Sequence, residues 1–224
     1  MPAAAALQCF YGGTFDPVHN GHLAIARAAR DQLGIPVRLM PAADPPHRKA
    51  PGADARQRAD MLELAIDREA GLCLDRRELQ RSGPSYSVDT LRALRRELGD
   101  AQPLALLLGA DSFLTLPSWR EWRTLFELAH LVIADRPGSR LDHGQPAALA
   151  EAAAGRWANS AAGLASRPAG SLMRLEQPLH PESASDIRRR IADSRPWRQL
   201  VAPAVAVFID AHRLYTQAAA DAPL

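Results

Sequence analysis

The sequence predicts an α/β fold, a Rossmann-like doubly wound parallel sheet with helices on both faces. Short apolar runs alternate with amphipathic segments of helical period, and such alternation forms right-handed crossovers in a parallel sheet. The run at 104–108 contains only Leu and Ala, which is typical of a central strand buried on both faces. Polar and glycine-rich stretches follow predicted strands at 12–22, 41–49, 109–111 and 135–138. Ligands bind at this edge of open sheets, so we expect one shared crevice.

Length and composition indicate one domain over 1–224, with a variable surface segment at 139–171 and a disordered tail at 216–224. The chain is 47% hydrophobic and 23% charged, as globular proteins are. Its net charge of +2 gives no sign of nucleic-acid binding. No apolar run approaches the roughly 18 residues of a membrane span. Cys9 and Cys73 are the two cysteines, so we expect no disulfide framework and a cytoplasmic location.

Hydrophobic spacing places the elements of the first half of the chain. The second helix is expected to turn Met61, Leu64 and Ala65 inward. Ser87 begins the third helix and is a suitable cap for it. The predicted strands are 7–11, 37–40 and 72–74, and the predicted helices are 21–33, 56–68 and one that begins at 87. Gly12-Gly13 is expected to end the first strand.

Capping signals organise the second half. Ser118-Trp-Arg-Glu121 has the form of a capping box and predicts a helix to about residue 129. Ser185 is expected to cap a helix that reaches about residue 192, which would place Arg188 in its first turn. The other predicted elements are strands at 104–108, 131–134 and 172–175, a short helix near 146–154, and a helix over 203–214.

The stretch from Gly12 to His22 carries the strongest functional signal. A Gly-Gly turn between a strand and a helix lets backbone approach a ligand, and a helix N-terminus attracts anions. His19 and His22 share one helix face. The stretch lacks the Gly-Lys-Ser/Thr of a P-loop and the G-x-G-x-x-G spacing. A metal site with Asp16 is the alternative, but no further His/Cys cluster completes a zinc site.

Other patterns have both a functional and a structural interpretation. Pro45-Pro-His47-Arg48 is either a phosphate clamp or a solvated basic loop. The arginines of 183–190 either meet a bound anion with the serines or face water. Asp111 either accepts ribose hydroxyls at the end of a strand or caps a turn. Trp119 either stacks on an aromatic ring or belongs to the core.

Two motifs resemble those of a known family. Gly-Gly-Thr-Phe-Asp-Pro-Val-His-Asn-Gly-His, from position 12, contains the H-x-G-H signature of nucleotidyltransferases related to class I aminoacyl-tRNA synthetases. Its full length resembles the nicotinate-mononucleotide adenylyltransferases. Ser183-Ala-Ser185-Asp-Ile-Arg188 resembles the second motif of that superfamily. The resemblance extends from Phe10 to about Tyr215, and it is weakest at 139–171.

The resemblance implies a reaction of ATP with nicotinate mononucleotide that gives deamido-NAD and pyrophosphate. Mg²⁺ would accompany ATP, and no protein side chain is expected to hold it. His19, His22 and Arg188 would be catalytic, by stabilising charge. The implied ATP-binding residues are Gly12, Gly13, Thr14, Phe15, His19, His22, Asp111, Arg136, Ser183, Ser185 and Arg188, and those for the mononucleotide are Gly13, Asp16, His47, Arg48, Ser87 and Trp119.

Alternatives remain open at this point. Another nucleotidyltransferase of the superfamily, acting on nicotinamide mononucleotide or phosphopantetheine, is the nearest. A non-catalytic nucleotide-binding regulator on the same fold is the other alternative. The family often has Asn in the loop after strand two, where this chain has Pro41-Ala-Ala-Asp44. The oligomeric state, monomer or homodimer, is not predicted.

Overall fold

The computed structural model describes residues 6–43, 52–81, 83, 85–134, 141, 144–177 and 180–216. The strands of this part are β1 (Gln8–Gly13), β2 (Val37–Pro41), β3 (Leu72–Leu74), β4 (Leu104–Gly109), β5 (His130–Ala134) and β6 (Leu172–Leu175). They form one sheet in the order β3-β2-β1-β4-β5-β6, and every pair is parallel. The predicted α/β fold is confirmed.

Helices connect the strands, as the alternating pattern predicted. In the described residues they are α1 (Asn20–Leu33), α2 (Ala55–Ile66), α3 (Ser87–Leu98), α4 (Ala110–Leu114), α5 (Leu125–Leu128), α6 (Ala147–Ala153), α7 (Ala161–Ala165), α8 (Ala184–Ala192) and α9 (Pro203–Ala211). The predicted short helix near 146–154 is α6. None of these helices combines the length and the apolar character that a membrane crossing requires. Of the predicted tail, only Thr216 is among the described residues.

The apolar run of β4 is explained by two cores, one on each face of the sheet. Ala105 and Leu107 belong to a core that α1, α2, α8 and α9 cover. Leu104, Leu106 and Leu108 belong to the opposite core, which α3, α4, α5 and α6 cover. Because both faces are buried, no position of the strand favours a polar side chain.

The first strand continues further than the sequence predicted. Gly12 and Gly13 do not break β1 but are its last residues, in register with Met40 and Pro41 of β2. Strands pair with β1 on both sides, and a glycine supplies the same backbone groups to the ladder as any other residue. The strand therefore carries the glycine pair directly to the edge of the sheet.

The predicted inner face of the second helix was partly wrong. Leu64 is 41% exposed, whereas Leu62 is fully buried. The buried positions 58, 61, 62 and 65 follow the i, i+3, i+4, i+7 spacing of a helix face. Leu64 lies outside that stripe, so its apolar side chain points away from the core.

The predicted capping box at 118–121 does not form. Ser118 ends a short 3₁₀ helix and its hydroxyl donates to the Thr115 carbonyl at 2.7 Å. Glu121 has the left-handed conformation (φ 48°), and Arg92 donates to its carboxylate. Its side chain therefore cannot close the box, and α5 begins only at Leu125.

Two leucines of α2 test this packing. We expect Leu62→Ala to lower the free energy of unfolding by about 2–5 kcal/mol, because it leaves a cavity in the core. The matched change Leu64→Ala should cost less than about 0.5 kcal/mol at a surface position. Urea denaturation of both variants measures the difference. Equal losses would contradict the observed orientation of α2.

Candidate active site

A cleft of about 860 Å³ opens at the carboxyl edge of the sheet. Its walls include residues at or after the ends of β1, β2, β4, β5 and β6. The strand order reverses between β1 and β4, which is where open α/β sheets bind ligands. The crevice that the sequence predicted is therefore present.

Most of the predicted site residues line this cleft. They are Gly12, Gly13, Thr14, Phe15, Asp16, His19, His22, Ser87, Asp111, Trp119, Ser183, Ser185 and Arg188. His47, Arg48 and Arg136 lie outside the described residues. Stretches far apart in the chain thus meet at one surface.

Gly13 is packed against the ring of Phe15, which lies in the loop after β1. A Cβ atom at this position would come within 2.9–3.1 Å of the Phe15 ring. The Gly13 carbonyl accepts a hydrogen bond from the Ala42 amide at 2.9 Å. A side chain at Gly13 would therefore displace the loop, and this explains one glycine of the motif. The Ala42 backbone holds the loop after β2, although the Asn often found there in the family is absent.

The ring of Phe15 packs against the imidazole of His22. Phe15 is buried, and its backbone has φ 52°, which is costly for a bulky residue. Its ring makes edge contacts with Tyr11 and His22, with centroid distances of 5.4 and 5.0 Å. The strained backbone therefore places an aromatic ring where it fixes the imidazole of His22.

The two histidines of the motif lie together at the start of α1. Their rings stack with centroids 3.7 Å apart. The His22 Nδ1 atom accepts from the His19 backbone N–H at 3.3 Å. When the His22 ring is neutral, this bond places its proton on Nε2, which makes that atom a donor. A Cβ at Gly21 would approach the His19 Nδ1 atom to 3.1 Å, so the glycine between the histidines makes room for the stack.

His19 is uncharged at neutral pH in this cleft. Burial, and to a lesser extent the nearby His180, lower the pKa of its imidazole to about 4. Its Nδ1 atom is buried and has no hydrogen-bond partner among the described residues. A bound anion would compensate for both conditions, because it favours the protonated ring and accepts a hydrogen bond.

The Asp16 carboxylate joins distant parts of the chain. It is 5% exposed and accepts hydrogen bonds from the Gly52 amide (2.9 Å), the Ala53 amide (3.1 Å) and the Tyr215 hydroxyl (2.7 Å). The Arg188 Nη1 atom lies 3.6 Å from its Oδ2 atom. The sequence assigned Asp16 to the mononucleotide. In the structure its carboxylate is engaged within the protein, and a ligand contact stays a prediction.

Arg188 reaches the cleft from the far end of the chain. Its Nη1 atom donates to the Asp16 backbone carbonyl at 2.6 Å. The neighbouring Arg189 and Arg190 instead form ion pairs with Asp186 at 2.5 and 2.6 Å. Of these three arginines, Arg188 is the one that lines the cleft.

The predicted cap of α8 was wrong by two residues. Ser183, not Ser185, is the N-cap, and its hydroxyl accepts from the Asp186 amide at 3.2 Å. The helix begins at Ala184, so Arg188 lies beyond the first turn. Ser185 is then free to face the cleft, and its hydroxyl accepts from Arg188 Nη2 at 3.4 Å.

At the other end of the cleft, Trp119 and the N-terminus of α3 lie in the same wall. Ser87 is the first residue of α3, as predicted, but Tyr86 rather than Ser87 is the N-cap, and it gives no side-chain cap. Trp119 is half-buried in an extended backbone after a 3₁₀ turn. Asp111 is exposed in the first turn of α4, directly after β4. An aromatic face, the first amide groups of a helix and a carboxylate therefore line this part of the cleft.

Sequence reasoning missed Arg58, which is fully buried in α2. Its guanidinium donates to the carbonyls of Thr14 (2.7 Å), Ala43 (2.8 Å) and Ala53 (3.3 Å). It thereby fixes the loop after β1 and two points of the connection between β2 and α2. A signal was available, because an arginine in the apolar stripe of a helix must find internal partners.

Further residues of the cleft gave no clear sequence signal. Glu78 is buried, burial raises the pKa of its carboxyl group, and it accepts from the Thr90 hydroxyl at 2.6 Å. His180 and Glu182 lie before α8, with His180 Nδ1 3.3 Å from Glu182 Oε2. Among the described residues, no group of three or more His, Cys, Asp or Glu side chains could hold a metal ion.

Comparison with known proteins gives a consistent result. A family model described as cytidylyltransferase-like matches residues 10–190. A probable nicotinate-nucleotide adenylyltransferase of Stenotrophomonas maltophilia is 57% identical over 215 residues, covering 94% of this chain and 97% of that protein. A protein of the same name from Xylella fastidiosa is 48% identical over 214 residues, covering 94% and 96%.

Solved structures agree at the level of the fold. Plasmodium falciparum nicotinic acid mononucleotide adenylyltransferase complexed with APC has a TM-score of 0.68 at 17% identity, covering 94% of this chain and 97% of that one. The same protein complexed with NaAD has a TM-score of 0.67 at 18% identity, covering 92% and 96%. The likeness spans nearly the whole of both chains.

The burial of His19 predicts a pH dependence of stability. The pKa of His19 is 6.5 in the unfolded chain and about 4 in the folded protein. As the pH falls, the unfolded state therefore binds a proton before the folded state does. Stability is complete above about pH 6.5 and falls by about 3 kcal/mol on acidification to pH 4. Burial also lowers the pKa of His130, so the His19→Gln variant is needed to isolate the effect. Unfolding free energies at pH 7 and pH 4 should differ less in His19→Gln than in the wild type, and equal differences would refute the assignment.

Proposed function

This chain belongs to the nicotinate-nucleotide adenylyltransferases of the cytidylyltransferase-like family, and we propose that it joins ATP and nicotinate mononucleotide to give deamido-NAD and pyrophosphate. The observation that carries the proposal is geometric. His19, His22 and Arg188 line one cleft, and that cleft also contains Trp119 and the N-terminus of α3. Two imidazoles and a guanidinium that can donate to phosphates are thus present together with a pocket for an aromatic acid.

The reaction needs positioning more than proton transfer. An oxygen of the mononucleotide 5′-phosphate attacks the α-phosphorus of ATP in line. The new O–P bond forms as the bond from the α-phosphorus to the bridging oxygen breaks, and that oxygen leaves with pyrophosphate. Because the attacking phosphate is already anionic, no general base is required. Catalysis then depends on alignment and on stabilising the charge that moves to the leaving group.

The phosphate end of the cleft supplies donors for that charge. His22 offers its Nε2 proton, and Phe15 and the His19 ring fix its orientation. In the free protein the His19 ring is neutral. When a polyphosphate binds, its negative charge favours protonation of this ring. Arg188 contributes a guanidinium, and the N-termini of α1 and α8 add backbone amides.

Mg²⁺ would enter bound to the phosphates of ATP, as part of the substrate. Metal ions that bridge the phosphates neutralise developing charge in polyphosphate transfer. Mg²⁺ keeps several of its waters and needs few protein ligands in such sites. The protein's own task is then to position the complex, with Asp111 at the end of β4 available to accept ribose hydroxyls.

The opposite end of the cleft fits the mononucleotide. The Trp119 ring offers a face for the pyridine ring, and the first amides of α3, at Ser87, can donate to its carboxylate. A phosphopantetheine substrate would make no use of such an aromatic surface. A regulator without catalysis would need neither the two histidines nor Arg188.

One assay tests the proposal and separates its rivals. Pyrophosphate release is measured with ATP and Mg²⁺ in the presence of nicotinate mononucleotide, nicotinamide mononucleotide or phosphopantetheine. We expect nicotinate mononucleotide to be the best acceptor and chelation of Mg²⁺ to stop release. Release with phosphopantetheine alone would replace the proposed substrate, and no release with any acceptor would favour a regulator.

Loss of the central donor should be severe. We expect His22→Ala to lower kcat on the order of 10²–10³-fold, because it removes a group that stabilises the transition state. The control is His212→Ala, since His212 is exposed and bonded to the Phe208 carbonyl in α9. Steady-state kinetics and a thermal melt of each variant separate catalysis from folding. Near-normal turnover of His22→Ala would remove this residue from the mechanism.

Loss of the aromatic surface should act on binding. We expect Trp119→Ala to raise KM for the mononucleotide about tenfold, which corresponds to about 1.4 kcal/mol, with a smaller change in kcat. Trp157→Ala is the matched control, because Trp157 is 43% exposed and does not line the cleft. KM values for both substrates provide the measurement. An unchanged KM for the mononucleotide would separate Trp119 from the ring pocket.

A further inference from the structure

Arg120 lies at the mononucleotide end of the cleft, and the reaction as derived above gives it no role. Among the described residues, the arginines that line the cleft are Arg120 and Arg188. Arg188 contacts Asp16 at the phosphate end. Arg120 directly follows Trp119, and its guanidinium lies over the Tyr86 ring, 4.9 Å from the centroid. The two guanidinium groups therefore serve different ends of one binding surface.

The N-terminus of α3 adds positive potential beside Arg120. Tyr86 is the N-cap and its side chain makes no cap hydrogen bond. The first amides of a helix without such a cap are available to a ligand, and the helix dipole favours a negative group there. The Arg120 guanidinium therefore lies at the N-terminus of α3, which is the end of the helix that would attract the carboxylate of an aromatic acid.

The Arg120 guanidinium makes no hydrogen bond to any of the described residues. Its closest acidic neighbours are Glu121 at 3.7 Å and Asp89 at 3.9 Å, distances too long for hydrogen bonds. Glu121 is instead held by both terminal nitrogens of Arg92, at 3.2 and 2.5 Å. Arg120 is 54% exposed, so a ligand can reach its donors without breaking a close contact.

The net charge of the side chains around the first turn of α3 depends on Arg120. Asp89, Glu121 and the buried Glu78 are acidic and lie around the first turn of α3 or in the adjoining wall. Arg92 is 3.8 Å from Asp89 and is shared with Glu121. Arg81 is 3.7 Å from Glu78, so two arginines face three acidic residues. Without Arg120, an incoming carboxylate would meet a net negative group of side chains.

We propose that Arg120 is a specificity-determining residue, whose guanidinium selects a pyridine ring that bears a carboxylate over one that bears an amide. This inference rests on the proposed function. A carboxylate accepts charge-assisted hydrogen bonds from the guanidinium fork, whereas a neutral amide gains little from its charge. Because the site is half-exposed, the discrimination from this residue is moderate rather than absolute.

The test compares two acceptors in matched variants. We expect Arg120→Gln to lower kcat/KM for nicotinate mononucleotide about tenfold, mainly through KM, because the carboxylate is remote from the reacting phosphate. With nicotinamide mononucleotide the change should stay below about twofold, so the preference falls about tenfold. Arg120→Lys should retain part of the preference, since it keeps the charge and loses the fork.

Arg123→Gln is the control for a general loss of positive charge. Arg123 is 58% exposed, lies over the Trp122 ring and does not line the cleft. We expect this variant to keep the wild-type ratio of the two acceptors. Calorimetric titration of each variant with nicotinate mononucleotide should show the Kd rising in Arg120→Gln and unchanged in Arg123→Gln.

The outcomes distinguish this inference from the proposed function. If the wild type is active and Arg120→Gln lowers kcat/KM equally for both acceptors, or for neither, Arg120 does not select the carboxylate and the inference is wrong. If Arg123→Gln loses the preference as much as Arg120→Gln does, the effect is general charge and the inference also fails. If the wild type uses neither mononucleotide, the proposed function fails and this inference fails with it.

Discussion

The buried carboxylate of Asp16 is the interaction on which the site depends. Four segments that are distant in sequence meet at this group: the loop after β1, the residues before α2, the guanidinium from α8 and the hydroxyl of Tyr215. A buried carboxylate is costly unless its oxygens are satisfied, and here each partner also needs the carboxylate. The contacts that stabilise the buried Asp16 carboxylate therefore also hold the loop after β1 next to Arg188 of α8, on the other wall of the cleft.

Preorganisation at the phosphate end has a common physical pattern. Rings that carry donors are held by other rings and by backbone atoms before any ligand is present. Phe15 fixes His22 by edge contact, and Arg58 fixes the carbonyl of Thr14 from within α2. The burial of His19 removes its charge in the free protein. A bound anion would therefore stabilise the protonated His19 ring and accept a hydrogen bond from its buried Nδ1 atom.

The sequence predicted the fold and the location of the cleft because these follow from local patterns. The apolar run of β4 and the glycine–histidine motif are each visible within a few residues. The errors have two causes, which are partners distant in the sequence and local signals that two residues satisfy equally well. Glu121 leaves its expected box because Arg92, on another helix, binds its carboxylate. Ser183 replaces Ser185 as the cap of α8, since both residues satisfy the same local rule. Arg58 escaped attention because its three carbonyl partners lie in loops whose positions the sequence does not specify.

The bond between Tyr215 and Asp16 has a consequence for how the chain is made. During translation, residues 8–134 can pair five of the six strands while the ribosome still holds the remainder. The group that completes the Asp16 cluster, the Tyr215 hydroxyl, is synthesised only after all six strands. A nascent chain therefore acquires its sheet well before its cleft, and a product released prematurely would carry the glycine–histidine motif on a scaffold that lacks its final anchor.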